Sequence, residues 1–309
     1  MGWRGNQLLD LQQVKGNTYV LKAGFLDLGL YMLGEKECIL IDTGFHKTAR
    51  DEVIPFFRDR NLELKGILCT HGHVDHAGGN SLLKNTYQCP VAVPYVEHVL
   101  CENAYNMYVL SDNLRFRFFA DTLPRFSYDT DVVVNPEETN LSFLGIPFTV
   151  LKLFGHSAYQ VGYVTPDNVA YLADALLSRP MIQKTKLPYL FDVGHDMESK
   201  ERIRRLECDG YILSHEGVHW QVTNLVEENL NHLKSRMSIL LELLHEPTNF
   251  DAYTARVIEA MGINNDLRKV AYMNRTIRSY LSYFMDQGLV VPEIRDNQIV
   301  FVKQESPEG

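Results

Sequence analysis

No apolar run in this 309-residue chain reaches the roughly 18 to 20 residues that a bilayer-spanning helix needs, which excludes a helical membrane anchor. The opening Met1-Gly2-Trp3-Arg4-Gly5-Asn6 has no apolar signal-peptide core, and Asn6 stands where N-terminal acylation favours Ser or Thr, so a cytoplasmic protein is expected. Cysteine is scarce. Cys38, Cys69, Cys89, Cys101 and Cys208 are odd in number and unpaired in spacing, which excludes a disulfide framework and implies reduced thiols. Positive charge is also short: 30 Lys and Arg against 39 Asp and Glu leave a net charge of −9, which disfavours nonspecific attraction to nucleic acid or anionic membranes. What remains is an ordinary soluble composition, 45% hydrophobic and 22% charged, in a length that suits one large domain plus a small one.

Against that background, Thr70-His71-Gly72-His73-Val74-Asp75-His76-Ala77-Gly78-Gly79 is dense in chemistry. Gly66-Ile67-Leu68-Cys69-Thr70 before it reads as a buried strand, with Cys69 directed into the core, and the glycines after it allow a sharp turn into a helix. In an extended segment side chains two apart share a side, so His71, His73 and Asp75 face one point and His76 follows as the chain turns. Desolvating four ionisable groups side by side is costly without a cation to balance them. Imidazole and carboxylate suit zinc first, with iron and manganese as substitutes.

The loop His71-x-His73-x-Asp75-His76 resembles the signature of the metallo-β-lactamase-fold hydrolases, and four further motifs resemble that family in order. Leu40-Ile41-Asp42-Thr43-Gly44 resembles the early strand whose Asp lies behind the ligands. Phe154-Gly155-His156-Ser157 and Leu213-Ser214-His215-Glu216-Gly217 resemble later ligand loops, and Tyr171-Leu172-Ala173-Asp174 the strand bearing the bridging Asp. Ala173 stands where the family commonly has Gly, and Ala158-Tyr159-Gln160 where it commonly has Pro-Gly. The resemblance implies two zinc ions, one held by His71, His73 and His156 and one by Asp75, His76 and His215, with Asp174 between them and Asp42 orienting a ligand ring. It further implies a bridging hydroxide as nucleophile, with Asp75 and Asp174 as the catalytic carboxylates.

Short apolar strands at Thr18–Leu21, Leu30–Leu33 and Cys38–Ile41, a helix over Thr48 to Arg60, and further strands at Phe148–Leu153, Val161–Val164 and Val169–Leu172 predict strands that deliver ligands from their ends, with helices outside. The fold expected is an α+β, four-layer αβ/βα sandwich over residues 1–224. Residues 225–309 read as a small helical, winged-helix-like domain: helices over Leu225–His245, Phe250–Met261 and Leu267–Met285, then a hairpin of Leu289–Ile294 and Gln298–Val302. The aromatic segment from Pro94 to Asn135 reads as a helical insertion or a wall over the cleft, with Arg115, Arg117 and Arg125 as charges able to meet an anion.

The last long helix carries Val270, Ile277, Leu281 and Phe284 on one side, with Arg268, Arg275 and Arg278 nearer the other. Residues 236–309 nonetheless hold eight Lys and Arg against ten Asp and Glu, so the part as a whole is not basic, and a solvated or homodimer-packing face is preferred to phosphate contact. The function expected is hydrolysis of a small-molecule thioester, as in glyoxalase II-like enzymes, or of another small ester or lactone, because a thiolate leaves without an acid. An endoribonuclease or phosphodiesterase is the runner-up, although the interval from Asp174 to His215 is too short for the large inserted domain of some nuclease relatives. A metabolite-binding regulatory protein with weak hydrolase activity is the third reading.

Overall fold

The computed structural model describes residues 9–103, 105–106, 126–264 and 266–304. Two sheets face one another. The first runs β1 (Asp10–Lys15), β2 (Thr18–Ala23), β3 (Leu26–Met32), β4 (Glu37–Ile41), β5 (Glu63–Leu68), β6 (Val91–Pro94) and β7 (Val132–Val134) in spatial order, antiparallel to β4 and parallel from there. The second contains β8 (Asn140–Phe143), β9 (Ile146–Lys152), β10 (Val161–Val164), β11 (Val169–Tyr171), β12 (Gly210–Leu213) and β13 (Gly217–His219), also neighbours in chain order.

Period-two alternation explains the layering. On β4, Ile39 and Ile41 point between the sheets, where they meet Phe148, Val150 and Tyr171; Cys38 and Leu40 point outward to a core with Val53, Phe57 and Leu83. On β11, Val169 and Tyr171 point inward, whereas Ala170 and the following Leu172 pack outward on Ile203, Leu225, Val226 and Leu230. Helices therefore cover both outer faces, giving the mixed α/β sandwich expected from the sequence. They are α1 (His46–Thr48), a π-helical turn at Ala49–Val53, α2 (Ile54–Asp59), α3 (Val74–Ala77), α4 (Asn80–Tyr87), α5 (Tyr95–Glu102), α6 (Arg179–Lys184), α7 (Val193–Arg204) and α8 (Thr223–Glu242).

The C-terminal part adds α9 (Phe250–Ala260), α10 (Leu267–Asp286) and a three-stranded sheet in the order β14 (Thr248–Asn249), β16 (Gln298–Lys303), β15 (Val290–Arg295). The expected hairpin is β15 with β16; the two-residue β14 was too short to carry a strand signal of its own. Asn249 caps α9 by accepting from Ala252 N at 2.9 Å. One helix serves two cores: α8 buries Leu225, Val226 and Leu230 against the second sheet, and Leu233 and Leu240 among Tyr253, Ile277, Tyr280 and Phe284. Leu187, Leu190 and Val193 join that C-terminal core, and Tyr280 donates to the Pro188 carbonyl at 3.1 Å.

In the aromatic segment, α5 is a helix, Tyr95 is exposed, and Phe126 and Tyr128 are buried under the first sheet; Arg115, Arg117, Arg125 and the aromatics between Tyr108 and Phe119 lie outside the described residues. All five cysteines are free, and Cys69 is buried in the outer core beneath the first sheet. Among the described residues no helix is long and apolar enough to cross a membrane.

Candidate metal centre

The seven expected ligands converge at the ends of the strands, from both sheets. β5 delivers His71 and His73, but the chain turns helical at Val74, one step earlier than an extended reading of the motif requires, so Asp75 and His76 project from α3 rather than from a strand. Packing against the loop after β4 forces the turn. The His76 carbonyl accepts from Thr43 N and Oγ1, at 2.8 and 3.0 Å. A Cβ at Gly79 would stand 2.6 Å from that of Ala49. The second sheet supplies His156 after β9, Asp174 after β11 and His215 after β12.

Ligand atoms fall into three overlapping groups: His71, His73 and His156; His71, His76 and Asp174; and Asp75, His76 and His215. His73 Nδ1 lies 3.0 Å from Nε2 of both His71 and His156. Asp174 spans the groups, with Oδ2 3.3 Å from His156 Nε2 and Oδ1 3.2 Å from His76 Nε2 and 3.6 Å from His215 Nε2. Asp75 Oδ2 is 3.9 Å from His76 Nε2 and 4.0 Å from His215 Nε2.

Outer hydrogen bonds decide which ring nitrogens face inward. Thr70 donates its hydroxyl to Asp42 Oδ2 at 2.8 Å, so its oxygen accepts from His71 Nδ1, 3.0 Å away. His76 Nδ1 donates to Asp42 Oδ2 at 2.8 Å, and His215 Nδ1 to the Phe25 carbonyl at 3.2 Å. The Nε2 atoms of all three rings therefore point into the centre. Asp42, fully buried, also accepts from Thr70 N and from the Tyr171 hydroxyl.

A second buried carboxylate, Glu97, escaped the sequence reading. It accepts from Gly72 N at 2.9 Å, Ser157 Oγ at 2.8 Å and Tyr159 N at 2.9 Å, tying the first ligand loop to the His156 loop. The residues that depart from the family pattern serve the same purpose. Tyr159 offers its amide to Glu97, and buried Gln160 accepts from Asp174 N and donates to the Leu153 carbonyl. Ala173 sits at φ 49°, a left-handed conformation in which Gly is the usual residue.

Burial pushes the His71 ring well below the ordinary imidazole value, and the rings of His76, His73 and His156 push the same way; burial takes His156 down to about 3. Burial opposes charge on His76 too, but Asp174, Asp75 and Asp42 outweigh it and hold that ring well above the ordinary value. His76 and His156 in turn overcome the burial of Asp174 and keep its carboxyl ionised. Most tellingly, His76 Nε2 and Asp174 Oδ1 are buried and face one another without hydrogen-bond geometry. Such orphaned polar atoms, in a set of imidazole nitrogens and carboxylate oxygens, fit divalent transition ions.

The centre opens into a cleft of about 660 Å³, within the usual range of small-molecule sites. Tyr189 stands over it, its ring centroid 5.5 Å from that of His73 and 5.7 Å from that of His156, and stacks on Tyr272 of α10 at 4.8 Å. Arg275 also lines the cleft, its guanidinium 5.8 Å from the Tyr189 ring centre, whereas Arg278 lies 3.9 Å over Phe250. Arg275 and Arg278, read from the sequence as part of one stripe, thus meet different rings.

The sequence model of the metallo-beta-lactamase superfamily matches residues 23–215, more than half of the chain. The chain belongs to the metallo-beta-lactamase superfamily. Members typically bind divalent metals, and this one presents a matching His and Asp cluster. The hydroxyacylglutathione hydrolase GloC of Haemophilus influenzae is 27% identical over 153 residues, a stretch covering 46% of this chain and 62% of that protein, so the chain matches less than two thirds of its relative. A metallo-beta-lactamase family protein of Thermus thermophilus shares the fold with a TM-score of 0.70 at 18% identity, covering 96% of this chain and 99% of the other. A beta-lactamase domain protein of Burkholderia ambifaria does so with a TM-score of 0.72 at 16% identity, covering 96% and 95%. Coverage of that extent carries the shared fold through the C-terminal helices.

Proposed function

We propose that this superfamily hydrolase cleaves thioesters, or other small carboxylic esters and lactones, with two divalent metal ions, zinc foremost. The observation that carries the reading is the pair of ligand groups spanned by Asp174 at the floor of a largely apolar cleft. His71, His73 and His156 would hold one ion, Asp75, His76 and His215 the other, with Asp174 between them. Bound there, the ions supply a water of lowered pKa and a Lewis acid for the attacked carbonyl. The chain's own contribution is positional. Asp42 fixes the His76 ring, Glu97 fixes the two loops that present His73 and His156, and Asp75, at the cleft surface, orients the attacking water and accepts its proton. Tyr189 and Tyr272 wall the cleft and exclude bulk water from one side. A thiolate departs without protonation, so this reading needs no general acid. The likeness to a hydroxyacylglutathione hydrolase points the same way.

Thioesters, lactones, phosphodiesters and short RNAs assayed on metal-analysed protein test the reading. Thioester or lactone turnover with about two ions per chain is expected; phosphodiester turnover alone, favoured among the described residues by Arg275 in the cleft, would move the reading to a phosphodiesterase. Asp75→Asn should lower kcat by roughly 10²- to 10⁴-fold while unfolding stays at the wild-type denaturant midpoint. Unaltered turnover would remove Asp75 from its role.

A further inference from the structure

The cleft has an aliphatic wall that the ligands do not explain. Beyond the metal centre its wall is built from Leu176, Leu177, Met181, Leu187, Leu190 and Leu233, supplied by the segment after Asp174, by α6, by the loop before α7 and by α8. Polar groups on this wall are mostly spoken for. Asn229 donates to the Leu177 and Leu225 carbonyls and accepts from Leu177 N. Lys200 is paired with Asp196 at 2.5 Å, both buried. His232 is engaged with the Thr185 backbone and leaves one ring nitrogen, Nε2, without a partner. Protein interiors are close-packed and tolerate few voids larger than a water, so an aliphatic space of this extent beside a reaction centre calls for an apolar occupant.

We propose that this chamber seats the acyl group of the substrate, so that the enzyme acts best on thioesters or esters of medium-length apolar carboxylic acids rather than of small hydroxy acids. The proposal rests on the acyl-hydrolase reading given above. Water adds to the carbonyl, the acyl–sulfur bond breaks, and the carboxylate product carries the chain that the chamber held while the thiol leaves. Apolar surface transferred from water into the leucine wall then contributes to transition-state binding in proportion to chain length.

The test is a series of saturated acyl thioesters, acetyl to decanoyl, on one thiol with the metal-loaded full chain. The value of kcat/KM should rise by up to about fourfold per added methylene and then fall once the chamber is full. Met181→Trp, which narrows the chamber at a half-buried position, should cut the ratio of decanoyl to acetyl kcat/KM at least about tenfold, the loss of two or more buried methylenes. In a second arm, butanoate to decanoate binding to the same protein is measured by calorimetry, with no turnover required. Affinity that grows with length while no acyl compound is hydrolysed sustains the chamber and overturns the acyl-hydrolase reading. Thioester turnover that is flat across the series, together with carboxylate affinity that is flat with length, overturns the chamber and leaves that reading intact. A Met181→Trp variant that lowers every chain length equally also overturns it.

Discussion

Two buried carboxylates support the candidate metal centre, and they do so differently. Asp42 touches a ligand ring directly and collects Thr70 N, Thr70 Oγ1, His76 Nδ1 and the Tyr171 hydroxyl. Glu97 touches no imidazole; it collects two backbone amides and a serine hydroxyl from the loops of His71–His73 and His156–Tyr159. Asp42 therefore governs a tautomer and a charge, whereas Glu97 governs the spacing between ligand loops of the two sheets. The lesson is that a metal site assembled from two sheets needs an anchor for its rings and a separate anchor for its backbone.

The largest separation between the two should come from Asp42→Ala. Removing it leaves the His76 ring and the Thr70 amide buried without an acceptor, while the Tyr171 hydroxyl keeps the Asp27 carbonyl, and we expect a loss of roughly 3–5 kcal/mol in stability. Affinity for the ion at Asp75, His76 and His215 should fall about 10- to 100-fold, the usual cost of losing an orienting partner. Metal analysis beside urea unfolding reads both. Loss of the His71, His73 and His156 ion instead would reverse the assignment of Asp42.

Glu97→Gln should do less, because the amide keeps one acceptor oxygen and the side-chain volume. We expect about 1–3 kcal/mol of destabilisation, and metal loss falling first on the ion nearest His73 and His156. If both variants lose the same ion to the same extent, the distinction between ring anchor and loop anchor collapses.

The legibility of the two carboxylates in the sequence differs for a physical reason. Asp42 ends an apolar strand, Cys38-Ile39-Leu40-Ile41, and the resemblance of Leu40-Ile41-Asp42-Thr43-Gly44 to the family's early strand implies its role. Glu97 lies in Tyr95-Val96-Glu97-His98-Val99, where a lone acid on a short helix reads as solvated; only the fold brings it within reach of Gly72 and Ser157. The alternation on β4 and β11 made the layers readable, and the density of His71 to His76 made the centre readable. Residues that owe their place to a distant segment, such as Tyr189 over His73 or Arg275 at the cleft, carry no local pattern. The early helical start at Val74 was hidden likewise, because Thr43 and Ala49 impose it from another loop.

A subtler contrast concerns protons. In chelated protein, Asp174, Asp75 and Asp42 keep His76 protonated at neutral pH against its burial, while burial holds His156 neutral down to about 3. A raised imidazole must shed its proton before it can ligate, and Asp174 raises His215 against its burial as well. Loading zinc at pH 7 should therefore release protons from His76 and His215 and none from His156, and affinity should weaken as the pH falls. Calorimetry in buffers of different ionisation enthalpy counts those protons. Asp42→Asn should reduce the count, and Glu97→Gln should leave it unchanged. An equal response in both variants would mean that the Asp42 charge does not set the state of His76.

The smallest effect is expected where the second sheet carries its ligand without a carboxylate anchor. Ala173 holds φ 49° immediately before Asp174, a conformation that costs an L-residue roughly 1–2 kcal/mol and glycine little. Ala173→Gly relieves that strain. It also removes a buried methyl, worth about 0.8 kcal/mol, and loosens the unfolded chain by about 0.4–1 kcal/mol. The terms nearly cancel, so the melting temperature should move by less than about 3 °C. Asp174 should stay in place, since its amide is held by Gln160 and the Ala173 carbonyl still accepts from Ser214 N, and turnover should remain near the wild-type value. A large fall in kcat with unchanged melting would show that the alanine itself positions the bridging carboxylate, and would give the second sheet a dedicated anchor of its own.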